Sequence, residues 1–521
     1  MDAIVQEKFS AVVPKMFNVA TYMLDRHIEE GRGGNLAIIS KDKRATYQEV
    51  FEEVNRFGNV LLNLGVEMEN RVLISAPDSQ ELICSILAAM KIGAVPIVAN
   101  FLLPINDIIY IFNDSRARVA VVHENLAEVL NQKRGELKYL RDIIVIGENS
   151  LGQYSYEKLV SKASNQLKAA ETSKDDSAVW QYSSGTTGEP KGIIHMHKSI
   201  VQHFRCYAEE ILQITGADRI FSIAKLYFGY GQANSLYWPF CAGGTSILLP
   251  DIPSPEAVAE IITKYKPTVF CGVPTSYNAI LQLPKLSEEH DFGSIRVCTS
   301  AGEALPTVVY ERWLEKFGIE IIDGIGSTEC FHIFSSNRLG NVVPGSLGRP
   351  IPGYEVKIVD DEGQEVPPGE IGNLMVAGSS NAYGYWNKHE MTQKNFHGRW
   401  IKTGDKGYRN EDGILWFVGR SDDMIKAGGI WVSPIEVEGV LNSHEAVSEC
   451  VVVGAPDDEG LHKPKAFVVL KEGWYSSSEL TKVLQDFVKS KIAHYKYPRW
   501  IKYVNELPKT PSGKLQRYKL R

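Results

Sequence analysis

Between residues 47 and 329, short apolar runs alternate with stretches whose apolar residues recur at helical spacing. Runs at 71–76, 94–98, 119–122, 178–182, 220–224, 245–249, 268–272, 297–300 and 319–323 read as strands. Helical patterns such as 79–91 separate most of them. Alternation of this kind predicts α/β layers built on largely parallel sheets. The most apolar stretch, 83–104, is interrupted by Lys91, Gly93 and Pro96. It reads as a buried helix followed by a buried strand, not as a membrane span.

The texture changes between residues 345 and 419. Short strands at 355–359, 373–376 and 414–418 lie among turn clusters such as Asp360-Asp361-Glu362-Gly363 and Glu411-Asp412-Gly413. This predicts a small β-rich subdomain or barrel. Beyond Arg420 the pattern mixes again, with strands expected at 450–453 and 465–470 and a helix at 477–492. Ser433-Pro434-Ile435-Glu436 opens another helix: Ser at the cap, Pro at the first helical position, Glu three residues after the cap. A chain of 521 residues exceeds what one core supports. The expected fold is α/β: a large N-terminal domain (1–421) of α/β layers plus a β-barrel subdomain, and a small α+β C-terminal domain (422–521).

Composition narrows the function classes. A formal charge of -7 argues against nucleic acid as the main partner. The seven cysteines are scattered without metal-ligand spacing, which predicts reduced, buried thiols. The start, Met1-Asp2-Ala3-Ile4, has no basic segment followed by an apolar core, so a soluble cytoplasmic protein is expected, with no membrane partner. Its state, monomer or homodimer, is open.

The strongest chemical signal is Tyr182-Ser183-Ser184-Gly185-Thr186-Thr187-Gly188-Glu189-Pro190-Lys191-Gly192. It follows a strand-like run, so it should be a loop at a strand's carboxyl end. Its glycines let backbone N–H groups approach a ligand, its hydroxyls add donors, and Lys191 adds a charge: the parts of a phosphate cradle. It is not the G-x-x-x-x-G-K-[ST] loop, because two residues separate Gly185 from Gly188 and Gly192 follows Lys191. The stretch resembles the phosphate-binding loop of the adenylate-forming superfamily, which includes acyl-CoA synthetases, peptide-synthetase adenylation domains and luciferases. The resemblance recurs, in the family's order, at Asp323-Gly324-Ile325-Gly326-Ser327-Thr328-Glu329, Lys402-Thr403-Gly404-Asp405, Gly419-Arg420-Ser421-Asp422-Asp423 and Pro508-Lys509-Thr510-Pro511-Ser512-Gly513-Lys514.

That resemblance implies ATP, Mg²⁺ and coenzyme A as the small molecules, with a carboxylic acid as substrate. Ser183, Ser184, Gly185, Thr186, Thr187, Gly188 and Lys191 would hold the β- and γ-phosphates. Thr328 would bind the α-phosphate and Glu329 would be the Mg²⁺ ligand. Asp405, joined by Arg420, would hold the ribose, with adenine against Gly302, Glu303, Ala304, Asp323 and Gly324. Lys514 would bridge the substrate carboxylate and the α-phosphate during adenylation. Asp422 matches the family's hinge, about which the mobile C-terminal domain withdraws Lys514 and presents Lys426, Gly428 and Gly429 to the thiol.

The run Ala224-Lys225-Leu226-Tyr227-Phe228-Gly229-Tyr230-Gly231, with Ser300-Ala301-Gly302-Glu303-Ala304-Leu305-Pro306 and His332-Ile333-Phe334, resembles the benzoate-CoA ligase branch. By that resemblance Gly229, Tyr230, Ala301, Gly326, His332 and Ile333 surround the ring, and Phe228 is an aromatic gate near the carboxylate. Large neighbours such as Tyr230 and Ile333 leave a short, flat slot, not a tunnel for a fatty chain. Gly229 stands where aryl members carry Ala, which leaves room for a thicker ring. Benzoate, alicyclic acids such as cyclohexane- or cyclohexene-carboxylate, and hydroxybenzoates all remain open. A peptide-synthetase domain should show an acidic partner for an amino group, absent from these runs. A luciferase-like oxygenase fits the general motifs but not the benzoate-branch run. A non-catalytic binding protein on this fold should have lost Lys514, Glu329 or Asp405.

Overall fold

The computed structural model describes residues 13–148, 154–184, 189–421, 423–427, 430–457, 462–509 and 515–521. Two large sheets carry the N-terminal part. The first has nine strands; its middle, Leu36–Ser40, Thr245–Leu248, Arg219–Ser222, Val269–Gly272, Val297–Ser300 and Ile321–Gly326, runs parallel. The second has eight, with Val95–Val98, Arg71–Ser75, Val119–His123 and Asp142–Ile146 parallel at its centre. These strands are buried along most of their length, as expected when both faces of a parallel sheet are covered by helices.

The helix Gln80–Lys91 starts where Ser79 accepts a hydrogen bond from the Leu82 N–H, and every residue from Leu82 onward is buried. Its last residue, Lys91, is tolerated because its ammonium meets the Asp25 carboxylate and, at 2.7 Å, Asn55 Oδ1. Within 83–104 the helix and the strand Val95–Val98 are buried as expected, while 101–104 form a turn that leaves Leu102 exposed. Among the described residues no helix is long and apolar enough to cross a membrane.

The β-rich expectation for 345–419 also holds. Tyr354–Val359, Gly372–Gly378, Trp400–Arg409, Phe396–His397 and Leu415–Arg420 form one five-stranded, antiparallel sheet. The smaller C-terminal domain has its own core: Ile425, Val432, Val437, Leu441, Val452, Val468, Leu484 and Val488 pack together. Val447–Pro456, His462–Leu470 and Trp500–Tyr503 make its sheet. Ser433 caps Pro434–Asn442 as expected, accepting from the Glu436 N–H at 3.2 Å. The Glu436 side chain does not return to the cap; it pairs with Lys496 at 2.6 Å, a partner sixty residues away. The seven cysteines are buried free thiols.

Candidate active site

The stretch after Tyr182 is a β-hairpin. Ser177–Ser184 pairs antiparallel with Pro190–Met196, setting Ser183 opposite Lys191 and Ser184 opposite Pro190. Gly185, Thr186, Thr187 and Gly188 lie outside the described residues. The hairpin aims Lys191 at Glu329: Nζ lies 2.7 Å from Oε1, and the Tyr385 hydroxyl donates to the same oxygen at 2.7 Å. Lys191 also sits over the Tyr385 ring, 4.3 Å from its centre. Burial pushes the Glu329 carboxyl upward, but the Lys191 charge and the two hydrogen bonds outweigh it and hold the pKa below the ordinary glutamate value. Glu329 is thus a largely buried, ionised carboxylate beside a lysine.

Thr328-Glu329-Cys330 is a single 3₁₀ turn, started by Ser327, whose hydroxyl accepts from the Cys330 N–H at 3.2 Å. Phe331 then reverses the chain at φ +76°, a strained value for a side-chain-bearing residue. Its ring is packed by His195 and Tyr237, at 5.1 and 5.6 Å, which fix the reversal. His195 is fully buried behind this turn; burial lowers its pKa to about 3, so it is neutral.

Asp405 lies within the strand Trp400–Arg409, directly across from Arg420. Arg420 Nη1 donates to its Oδ1 at 2.7 Å, and to the Thr403 carbonyl at 3.2 Å. Burial raises the Asp405 pKa, partly offset by Arg420. Asp323 and Ser300 sit side by side on neighbouring strands, and each has a buried oxygen without a protein partner, Asp323 Oδ1 and Ser300 Oγ. Gly302, Glu303 and Ala304 follow in the turn after Val297–Ser300, with open space before Gly302. Orphaned buried acceptors are costly and mark a place where a ligand's donors fit.

Burial lifts the Asp323 carboxyl to about 7. A raised folded-state pKa means that stability is full below the unfolded value, about 3.9, and is lost as pH rises towards 7. Asp323→Asn is therefore expected to raise the thermal midpoint of the ligand-free protein at pH 8 and to change it little at pH 4. Midpoints measured at both pH values check this; equal shifts would contradict it.

The aromatic slot lies beside Ala301 and Ile333, which are both buried. Tyr230 stacks on His332, with ring centres 5.1 Å apart and planes 12° apart, and its hydroxyl meets Thr299 Oγ1 at 2.8 Å. Both His332 ring nitrogens are buried without partners, and burial, followed by the nearby His203, drives its pKa far down, so the ring is neutral. His203 Nε2 lies 3.2 Å from the Ile333 carbonyl. Gly326 admits no side chain: a Cβ would meet the His332 carbonyl oxygen at 2.4 Å. Phe228 is half-buried and packs edge-on against Tyr227 at 4.6 Å.

Gly229 differs from the expectation of a roomier ring slot. A Cβ there would meet Gln181 Oε1 at 2.9 Å, so the missing methyl accommodates the Gln181 amide. Gln181 in turn donates to Gln232 at 2.9 Å, while its own Oε1 has no partner.

Gln181, His195, Thr299 and Tyr385 are neighbours that the motifs did not reveal. Gln181 lies just before the glycine-rich loop, where its polarity in an apolar strand was the available signal. Tyr385 carried none. Asp422, Gly428, Gly429 and Lys514 lie outside the described residues; Lys426 falls in the strand Ile425–Ala427. Among the described residues no group of three or more His, Cys, Asp or Glu gathers around one metal-sized point.

A family model described as AMP-binding enzyme matches residues 24–386, and one described as AMP-binding enzyme C-terminal domain matches 436–514. Similar curated proteins include a benzoate-CoA ligase of Thauera aromatica, 44% identical over 98% of this chain and 96% of that one. A 4-hydroxybenzoate-CoA/benzoate-CoA ligase of Rhodopseudomonas palustris is 41% identical over 97% of this chain and 94% of its own. Among solved structures, a benzoate CoA ligase from Burkholderia xenovorans superposes with a TM-score of 0.90 at 43% identity, over 97% of this chain and 100% of that one. An anthranilate CoA ligase in complex with anthranoyl-AMP gives 0.94 at 42% identity, over 98% of both chains.

Proposed function

Because this chain belongs to the family of AMP-binding, adenylate-forming enzymes, on its benzoate-CoA ligase branch, and is an AMP-forming CoA ligase, we propose that its acid substrate is benzoate or a closely similar ring acid. The observation that carries this reading is the aromatic pair of Tyr230 stacked on a neutral His332, beside Ala301 and Ile333. It offers a flat, mostly apolar surface without an ion for an amino group. The relatives' own substrates, benzoate and 4-hydroxybenzoate by name, support it.

In the first half-reaction a carboxylate oxygen attacks the α-phosphorus of ATP and pyrophosphate leaves. Two anions must meet, so catalysis rests on fixed positive charge and donors. Lys191, Ser183 and Ser184 are assigned to the outer phosphates, Thr328 to the α-phosphate, and Lys514 to the carboxylate and α-phosphate together. Asp405 accepts from the ribose hydroxyls, freed for that role by Arg420, which satisfies one oxygen. Gly302, Glu303 and Ala304, with the backbone near Asp323 and Gly324, are assigned to the adenine. A single ionised glutamate plus phosphate oxygens is a donor set that suits Mg²⁺, and Glu329 would hold it, neutralising charge on the phosphates. In the second half-reaction the coenzyme A sulfur attacks the acyl carbon and AMP leaves. Before that step the C-terminal domain (422–521), hinged at Asp422, withdraws Lys514 and brings Lys426, Gly428 and Gly429 towards the thiol.

AMP release measured with benzoate, 2-, 3- and 4-hydroxybenzoate, cyclohexane- and cyclohexene-carboxylate, acetate and hexanoate tests the substrate. Highest kcat/KM for a ring acid supports the reading; preference for acetate or hexanoate overturns it. His332→Ala removes one wall of the slot, and a pocket change of this size is worth about 1–3 kcal/mol. The ratio of kcat/KM for 4-hydroxybenzoate over benzoate is expected to shift by about tenfold or more. An unchanged ratio would place His332 outside the ring site.

A further inference from the structure

Three neighbouring parallel strands begin at, or just after, an arginine. Arg71 opens Arg71–Ser75, Arg118 precedes Val119–His123 and Arg141 precedes Asp142–Ile146. Backbone bonds hold the three in a row: the Arg118 N–H donates to the Arg71 carbonyl at 3.0 Å, and the Arg141 N–H to the Arg118 carbonyl at 2.7 Å. Adjacent strands lie about 4.8 Å apart, so the three residues are closely spaced. Arg116 joins them from the end of the helix Ile105–Ser115, where it adopts a left-handed φ of +55°. With Lys138, Tyr139 and Leu140 these residues line a surface cleft of 510 Å³.

No carboxylate pairs directly with this charge among the described residues. Among the described residues, Arg71, Arg116, Arg118, Lys138 and Arg141 form no ion pair. Two of the nearby acids are bonded elsewhere: Asp114 accepts from the Tyr182 hydroxyl at 2.6 Å, and Glu136 from Lys133 at 2.7 Å. Arg71 is held instead by the Ser115 carbonyl at 2.8 Å and by the faces of Trp180 and Trp386, at 5.4 and 5.6 Å. Arg116 lies 5.3 Å from the Trp386 ring centre. Burial, then the charges of Arg116 and Arg118, lower the Arg71 pKa, while Glu69 offsets this in part. Cations gathered in a concavity without direct ion pairs cost self-repulsion, which an anion with several closely spaced charges would relieve through forked guanidinium bonds.

We propose that this cleft is a second anion site, which takes a polyphosphate group, free or at the end of a nucleotide. It is distinct from the glycine-rich loop: that loop follows the carboxyl end of Ser177–Ser184, which runs parallel to Val95–Val98 and so to these strands, whereas the cleft lies at their amino ends. Arg118 and Arg141 take no part in the proposed adenylation, so the site can be removed separately.

Calorimetric titration of inorganic tripolyphosphate into wild type, Arg118→Ala/Arg141→Ala and Lys191→Ala tests the proposal. Wild type is expected to show a binding event that Lys191→Ala retains and the double variant weakens at least tenfold, with AMP release by the double variant unchanged. A parallel titration with GTP separates the sources: tenfold tighter binding at the cleft assigns a nucleotide, and equal binding assigns the polyphosphate group itself. Identical isotherms for wild type and the double variant, or loss of all binding in Lys191→Ala, would overturn the site. If the double variant loses its native circular dichroism, Arg141→Glu, at an exposed position, replaces it with the same expected weakening.

Discussion

Glu329→Gln is expected to slow adenylation by about two to three decades, the range for removing a preorganised charge-stabilising group. The substitution is nearly isosteric and keeps an oxygen for the Tyr385 hydroxyl, so the loss reports charge more than shape. Pyrophosphate exchange measures the step directly, and the apparent Mg²⁺ requirement should rise with it. The same change costs stability, because Lys191 loses a partner in a pair whose side chains are only 16% and 13% exposed. Removing one member of such a pair costs about 3 kcal/mol. The pH dependence has a definite sign. Glu329 titrates below its ordinary value, so its contribution is full above the unfolded value, about 4.3, and is lost as pH falls through the folded one. The stability gap between wild type and variant should therefore be full at neutral pH and close in acid. Normal pyrophosphate exchange in a folded variant would reduce Glu329 to a structural partner of Lys191.

Lys514→Ala is expected to separate the two half-reactions. Adenylation should fall by about two to four decades, since the bridging charge is lost where it develops. Thioester formation from supplied acyl-adenylate should fall far less, because the proposed domain rotation has by then carried Lys514 away. Single-turnover assays of each step check this, and an equal loss in both would sink the assignment.

The parallel strands were legible because each is a continuous apolar run, and the cap at Ser433 because it is purely local. What escaped depended on partners distant along the chain. Pro190–Met196 begins with Pro, Lys and Gly and reads as more loop; it becomes a strand by pairing with Ser177–Ser184 on one side and Gly384–Tyr385 on the other. Tyr385 reaches Glu329 across 56 residues, with no pattern to announce it. Nothing in the sequence says that the Gln181 amide lies against Gly229. The Asp405–Arg420 pair was foreshadowed by motif and is explained by register: two antiparallel strands set the residues opposite each other.

The reversal at Phe331 joins two halves of the site that chemistry treats as separate. On its amino side stands Glu329, proposed for the metal and phosphates; on its carboxyl side stand His332 and Ile333, proposed for the ring. Gly326 is pressed against the His332 backbone across the same turn, so neither side can move alone. Evolution or engineering of new acid specificity is therefore confined to exchanging side chains on a fixed frame. A longer insertion between Glu329 and His332, the obvious way to deepen the slot, would alter nucleotide handling before it altered substrate choice.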